Sequence, residues 1–497
     1  MGRTLLGTSA LVSVALLLSR LSGLIREQVL GARLGLSAEM DAAILILTLP
    51  DLLVGLLLSG GFAAALVPAL TRASLEARIQ LVRRVMYWSA VVGLGLAACL
   101  FLAMPWVTGA LMPTTNVDQL TAFRLGFGLS LLALPISAVI GASSSYLNAV
   151  GKYAVSALAV LAFNGLLALY FLVGLQTAPV DFALFGAVVL GAVLVRLGLQ
   201  ASRMQDLLKR RPKIYRFEAE FPRQFLQGVL GATLIVGVPI VFRSLFALGG
   251  TGEMATFNYA LRLFELPMGI LITPIVVVFL PLLSDVPAEQ GGLYRERSSL
   301  AVRSAFVLGL VGALVGAVFA YPIADLLFGF GALAGDSTQA IAATTQIVMI
   351  AIPFMAIFQA TTTALNARSR TGYVLVYSLM ALITALVLYA GVRLCGGQLT
   401  LSAQVGFVMF AVLASLLGLH GVFDGAGIWR CLRQLGVILL RTVGATGLFV
   451  WAWPIPLAEG FSFLSLLGLC GLGLILLAVN VTVLRELAAI RDQRSEV

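Results

Sequence analysis

The sequence predicts an all-α polytopic membrane protein of 14 transmembrane helices, in two six-helix lobes related by a parallel repeat, with two extra C-terminal helices. Three observations predict it. Of the 497 residues, 60% are hydrophobic and 11% charged, with a mean hydropathy of +1.04, a balance outside the range of water-soluble domains. Basic residues collect in alternate loops. Two stretches of the chain resemble each other at a spacing of 218 residues. Closed membrane barrels would instead show short alternating strands, a pattern the sequence lacks.

A hydrocarbon core of about 30 Å needs roughly 20 apolar residues per helix, and the intervals between charge clusters meet that length. The first span, near 5–33, follows Arg3. Ser19, Arg20, Leu21 and Ser22 interrupt its apolar run without a small-x-small cleavage pattern, so it reads as an uncleaved helix. Spans two and three, near 41–70 and 83–104, are divided by Arg72, Arg78, Arg83 and Arg84. Spans four to six lie near 120–148, 154–175 and 181–202, with Lys152 between the first two and a basic segment from Arg203 to Arg223 after the last. Spans seven to twelve lie near 224–248, 254–284, 300–325, 338–366, 373–392 and 400–424. Spans thirteen and fourteen lie near 435–454 and 462–484. Pro50, Pro135, Pro267 and Pro353 fall inside spans, where a missing N–H and a ring clash kink a helix; Pro50 and Pro267 are the expected hinges.

Counted along this path, one set of loops carries all the loop Lys and Arg except Arg393, including Arg295, Arg297, Arg368, Arg370, Arg430, Arg433 and Arg485. The positive-inside tendency then places both termini in the cytoplasm. The net charge of +10 therefore marks loops rather than a nucleic-acid surface.

Span four carries Pro135, the triplet Ser143 to Ser145, Asn148 and Ala149; span ten carries Pro353, the triplet Thr361 to Thr363, Asn366 and Ala367. Leu49-Pro50 in span two matches Leu266-Pro267 in span eight at a spacing of 217 residues. Six spans per repeat is an even number, so the two halves share one orientation, as in parallel-repeat secondary transporters with the substrate site expected between the halves. The expected domains are an N-lobe at 1–203, a basic cytoplasmic linker at 204–223, a C-lobe at 224–433 and a C-terminal pair at 434–497.

Seven arginines lie within spans: Arg20, Arg26, Arg33, Arg124, Arg196, Arg243 and Arg262. Such placement costs about 2.5–3.5 kcal/mol per residue on insertion scales, so these side chains face a bundle interior or a watery cavity. Guanidinium is the side chain best matched to phosphate, because its planar fork donates two hydrogen bonds and stays protonated. Several arginines around one cavity favour an anionic, phosphorylated substrate. Glu27, Asp41, Asp51 and Glu265 are the acidic partners within reach in sequence, and Arg262 and Glu265, three apart, share a helical face. Arg33, Arg124, Arg196 and Arg243 snorkel or pair internally. His420, beside Asp424, reads as a packing or interfacial residue. The four cysteines have no metal or redox spacing, and no hydrolase triad, Walker loop or glycine-rich nucleotide fingerprint occurs in its required context. No cofactor and no metal are expected.

Ser19, Arg20, Gly23, Arg26 and Glu27, then Asp41, Leu49, Pro50 and Asp51, then Gly60, Gly61, Phe62 and Pro68 resemble the N-terminal signature of the MurJ (MviN) lipid II flippases of the MOP exporter superfamily. Arg262, Glu265 and Pro267 resemble that family's motif in span eight. The resemblance implies a non-enzymatic carrier in the bacterial cytoplasmic (inner) membrane that moves an undecaprenyl-diphosphate-linked glycan by alternating access. It implies that Arg20, Arg26 and Arg262 meet the diphosphate and that Asp41 matters for gating, with Glu27, Asp51 and Glu265 as further cavity charges. It also implies a lipid-tail groove on spans thirteen and fourteen, and envelope-polymer biosynthesis proteins as partners. Val54, Ser59 and Leu261 stand where the family usually carries charge. Those losses leave lipid II and an exopolysaccharide repeat unit both open as cargo. A MATE-like multidrug antiporter is the alternative, disfavoured by the arginine excess; a non-transporting membrane scaffold is another.

Overall fold

The structure is a computed structural model that describes residues 18, 21–56, 66, 70, 74–106, 117–173, 180–204, 221–287, 289–368, 370–395, 399–452 and 461–487. Among these residues the regular secondary structure is helical throughout. The chain divides into two compact units, Met1–Val236 with Gly250–Ala255, and Gly237–Gly249 with Thr256–Val497.

Unit 1 contains α1 (residues 21–34), α2 (Ala38–Leu56), α3 (Leu75–Leu102), α4 (Val117–Ala149), α5 (Tyr153–Val173) and α6 (Phe182–Ala201). Polar caps start three of them: Ser37 accepts from the Met40 amide at 3.2 Å, Ser74 from the Ala77 amide at 3.4 Å, and Asp181 from the Leu184 amide at 3.0 Å. Each satisfies a donor that the first helical turn cannot. Gly151, at φ +78°, turns the chain from α4 into α5. Two glycines set the packing. A Cβ on Gly186 of α6 would lie 2.2 Å from the Gly126 carbonyl oxygen of α4, so the two backbones touch. A Cβ on Gly93 of α3 would lie 2.7 Å from the Pro135 Cα of α4. Small residues at such crossings let apolar helices gain dispersion energy in lipid.

The helix α7 (Phe221–Ala247) begins in unit 1 and ends in unit 2. Unit 2 continues with most of α8 (Glu253–Pro267), a π-helical turn at Met268–Ile272, α9 (Thr273–Ser284), α10 (Gly291–Val318) and the short α11 (Ala320–Phe328). It is completed by α12 (Asp336–Met349), α13 (Ile352–Ala367), α14 (Thr371–Cys395), α15 (Leu399–Val422), α16 (Gly425–Ala452), α17 (Phe463–Val479) and α18 (Val481–Leu487). Pro267 ends the α-helical part of the eighth span, and the Thr273 hydroxyl then donates to the Met268 carbonyl at 3.0 Å across the π turn. Ser462 and Ser465 form a reciprocal capping box at the start of α17.

The repeat reappears inside each unit as matching helix crossings. Gly309 of α10 approaches the Pro353 Cα of α13 with the 2.7 Å clearance that Gly93 has to Pro135. In unit 1 the Ser143 hydroxyl meets the Gln200 side chain; in unit 2, 218 residues on, Thr361 meets Gly418. Large aliphatic side chains on α3, α14 and α16 point outward, as they must when the solvent is hydrocarbon. Among the described residues, nine helices are long and apolar enough to cross a membrane, and up to 11 if each of two bent pairs is one span. The expected spans one, two and seven each include residues whose placement or side chains lie outside the described set.

Candidate functional site

The charge cluster of unit 1 is built on α1 and α5. Ser22, Gly23 and Arg26 stand at i, i+1 and i+4 among Leu21, Leu24 and Ile25, so one face of α1 is polar inside an apolar bundle. On that face the Arg26 side chain is 2% exposed, donating from Nη1 to Asn164 Oδ1 at 3.0 Å and from Nη2 to Glu27 Oε1 at 2.8 Å. Asn164 in turn donates from Nδ2 to the Ser22 hydroxyl at 2.9 Å. The Phe163 ring takes two guanidinium groups, Arg26 at 5.9 Å and Arg196 at 5.7 Å. Removed from water, such charges persist only when hydrogen-bonded and paired, and cation–π contact adds to that. Arg26 is thus enclosed within unit 1 and does not face an open surface there.

Asp41, on α2, does something different. Its Oδ2 accepts from the Gly252 amide at 2.9 Å and its Oδ1 from the Ala255 amide at 2.8 Å, so a buried carboxylate caps the first turn of α8. Donors left unsatisfied by helix geometry and the positive end of the helix dipole both favour an anion at this place. Gly252 sits at φ +81°, and a Cβ there would lie 2.4 Å from the Leu36 carbonyl oxygen, so a side chain is excluded twice over.

In unit 2 the buried Arg243 donates from Nη2 to Asn258 Oδ1 at 2.8 Å. These two residues stand 217 positions after Arg26 and Asp41, and Gly252 stands 217 after Gly35, which is also at positive φ. Equivalent positions of the repeat thus carry different partners: an arginine–amide pair in unit 2, and in unit 1 an arginine bonded to Glu27 and Asn164 while Asp41 accepts from the amides of residues 252 and 255. Further along α8, Arg262 pairs with Glu265 at 3.0 Å, with side chains 29% and 57% exposed. A Cβ on Gly312 of α10 would lie 2.7 Å from the Pro267 Cβ, so the proline that precedes the π turn is held against its neighbour.

Of the residues expected from sequence, Arg26, Glu27, Asp41, Arg262, Glu265 and Pro267 are placed. Arg26 and Glu27 come together, as do Arg262 and Glu265, while Asp41 joins the amides at 252 and 255. Arg20 lies outside the described residues, as do the side chains of Pro50 and Asp51. Arg33 reaches the Phe171 carbonyl at 3.4 Å, and Arg124 is exposed. Sequence reasoning passed over Asn164 and Asn258 and left Arg196 and Arg243 aside. The signal was there: an amide alone in an apolar span is costly without a partner. Among the described residues no group of three or more His, Cys, Asp and Glu side chains could hold a metal ion.

A family model described as lipid II flippase MurJ matches residues 30–466. The lipid II flippase MurJ of Burkholderia cenocepacia is 26% identical over 499 residues, covering 92% of this chain and 93% of that protein. A probable lipid II flippase MurJ of Rhizobium meliloti is 25% identical, covering 93% and 90%. Among solved structures, a lipid II flippase MurJ in an inward closed conformation superposes with a TM-score of 0.71 at 17% identity, covering 96% of this chain and 100% of that one. An inward-facing MATE multidrug resistance transporter of the MOP superfamily gives 0.66 at 13% identity, covering 86% and 99%.

Proposed function

The chain belongs to the MurJ family of lipid II flippases, and we propose that it translocates a polyprenyl-diphosphate-linked saccharide across the bacterial cytoplasmic membrane by alternating access. It is a multi-pass membrane transporter, not an enzyme. The observation that carries the reading is the family match over residues 30–466. Lipid II is the first cargo to test, because it is what the relatives are named for. The exopolysaccharide repeat unit is the second reading, and the apolar Leu261, buried immediately before Arg262, favours it together with Val54 and Ser59. Charge missing from a polar binding surface changes which headgroup that surface can satisfy.

Arg20, Arg26 and Arg262 are the residues proposed to meet the diphosphate. Arg262, 29% exposed and paired with Glu265, would exchange that carboxylate for phosphate. Arg26, held by Glu27 and Asn164, would have to exchange both. Asp41 is the proposed gating residue, Pro50 and Pro267 the proposed hinges, and both termini are proposed to be cytoplasmic.

The test is complementation of a bacterial strain depleted of its lipid II flippase. Growth rescue by the wild-type chain, lost on Arg262→Ala with unchanged membrane levels, is the expected result for lipid II. A charge-assisted phosphate contact contributes about 1.5–3 kcal/mol, so Arg262→Ala should slow transport by roughly tenfold or more. Absence of rescue with normal membrane insertion would remove lipid II and leave the exopolysaccharide reading, which is then measured as polymer export.

A further inference from the structure

The last two long helices carry a polar cluster that none of the transport chemistry above uses. Asn480 stands where α17 turns by 71° into α18, and it is fully buried. Its Nδ2 donates to the Thr442 hydroxyl at 3.0 Å and to the Leu476 carbonyl at 2.9 Å, which fixes the amide; its Oδ1 then accepts from Arg441 Nη2 at 2.9 Å. Arg441 is thereby locked in one orientation on α16, at an exposed position. Its surroundings are aliphatic: Val437, Leu440 and Val443 are 58%, 76% and 47% exposed. Among the described residues no carboxylate lies within ion-pair distance of Arg441. The nearest acid of the cluster in sequence, Glu486 on α18, is bound to Arg303 of α10 at 3.0 Å, while Arg485 beside it is exposed.

A guanidinium offers five donors, and among the described residues one of those on Arg441 is used. Left facing hydrocarbon, the others would go unsatisfied at a cost of several kcal/mol. The 17 residues of α17 span roughly 25 Å, so the bend at Asn480, and Arg441 with it, falls close to one edge of a core of about 30 Å. That is the depth of lipid phosphates, and the excess of positive charge over Glu486 selects an anionic lipid over a zwitterionic one.

We infer that Arg441, oriented by Asn480 and flanked by Arg485, binds the phosphate of an anionic phospholipid where α16 meets the α17–α18 bend. The site belongs to unit 2 alone. The lipid's acyl chains would lie along the exposed aliphatic residues that follow Arg441 on α16, Val443, Leu448 and Val450.

The experiment uses the full chain in nanodiscs of mixed phosphatidylcholine and phosphatidylglycerol, with retained lipids counted by native mass spectrometry. Wild type should retain phosphatidylglycerol preferentially. Arg441→Gln should weaken that retention about tenfold, the loss expected for charge-assisted hydrogen bonds. Arg430→Gln, on the same helix without an asparagine anchor, should leave it unchanged. Equal retention of both lipids, or full retention by Arg441→Gln, overturns the inference; so does displacement of the phosphatidylglycerol by a soluble polyprenyl diphosphate, which would give the site to the carrier lipid. A photoreactive phosphatidylglycerol on the wild-type protein provides the check that needs no variant: adducts on residues 437–443 and 480–485 support the site, and adducts confined to other segments refute it.

Discussion

At the scale of single residues, Arg26 and Asp41 show how the same sequence signal, a charge inside a span, resolves into two kinds of chemistry. Arg26 is bound on two sides by Glu27 and Asn164 and lies beside Phe163, so its removal takes from the buried Glu27 the cation that lies 2.8 Å away. Removing one partner of a buried pair costs about 3–5 kcal/mol. Arg26→Ala should therefore lower the thermal unfolding temperature in detergent markedly, and Arg26→Ala with Glu27→Ala should recover part of that loss. An additive double mutant would show that the pair does not interact. Asp41 caps a helix and has no cation within ion-pair distance among the described residues, which spacing along the chain could not reveal, since the amides it accepts from are 211 and 214 residues away.

Among helices, the decisive residues are the ones without side chains. Gly126 and Gly186 let α4 and α6 touch backbone to backbone, whereas Gly191, on the same α6, has nothing within 4 Å of the Cβ it lacks. Overpacking a tight contact costs about 1–3 kcal/mol, so Gly186→Ala should destabilise the detergent-solubilised protein by that order while Gly191→Ala changes little. Equal behaviour of the two variants would remove the crossing as the source of stability. The repeat was readable from the proline and serine/threonine positions of spans four and ten, because a kink and a short polar side chain each fix a local geometry. The matching glycines at 93 and 309 escaped that reading. A glycine in an apolar span looks alike whether it meets a helix or lipid, and the proline it meets is distant in sequence.

For the whole molecule, alternation of basic loops makes a direct prediction about sidedness. A cysteine at Thr251, an exposed residue between α7 and α8, should react with an impermeant maleimide added outside intact cells. A cysteine at the exposed Lys152 should react only after permeabilisation. The opposite pattern would invert the proposed orientation. Composition, span length and the 218-residue spacing determined from the sequence alone that this is a helical membrane protein built twice over, because hydrocarbon forbids unsatisfied backbone and so leaves helices as the solution for long apolar runs. They also singled out the intramembrane arginines, whose cost in lipid is a property of the residue type. Which partner each arginine takes was decided only by tertiary structure. Arg26 with Asn164 and Arg243 with Asn258 are hydrogen bonds between different helices, and a hydrogen bond needs two atoms within about 3 Å, a condition that helix packing meets and sequence separation does not record.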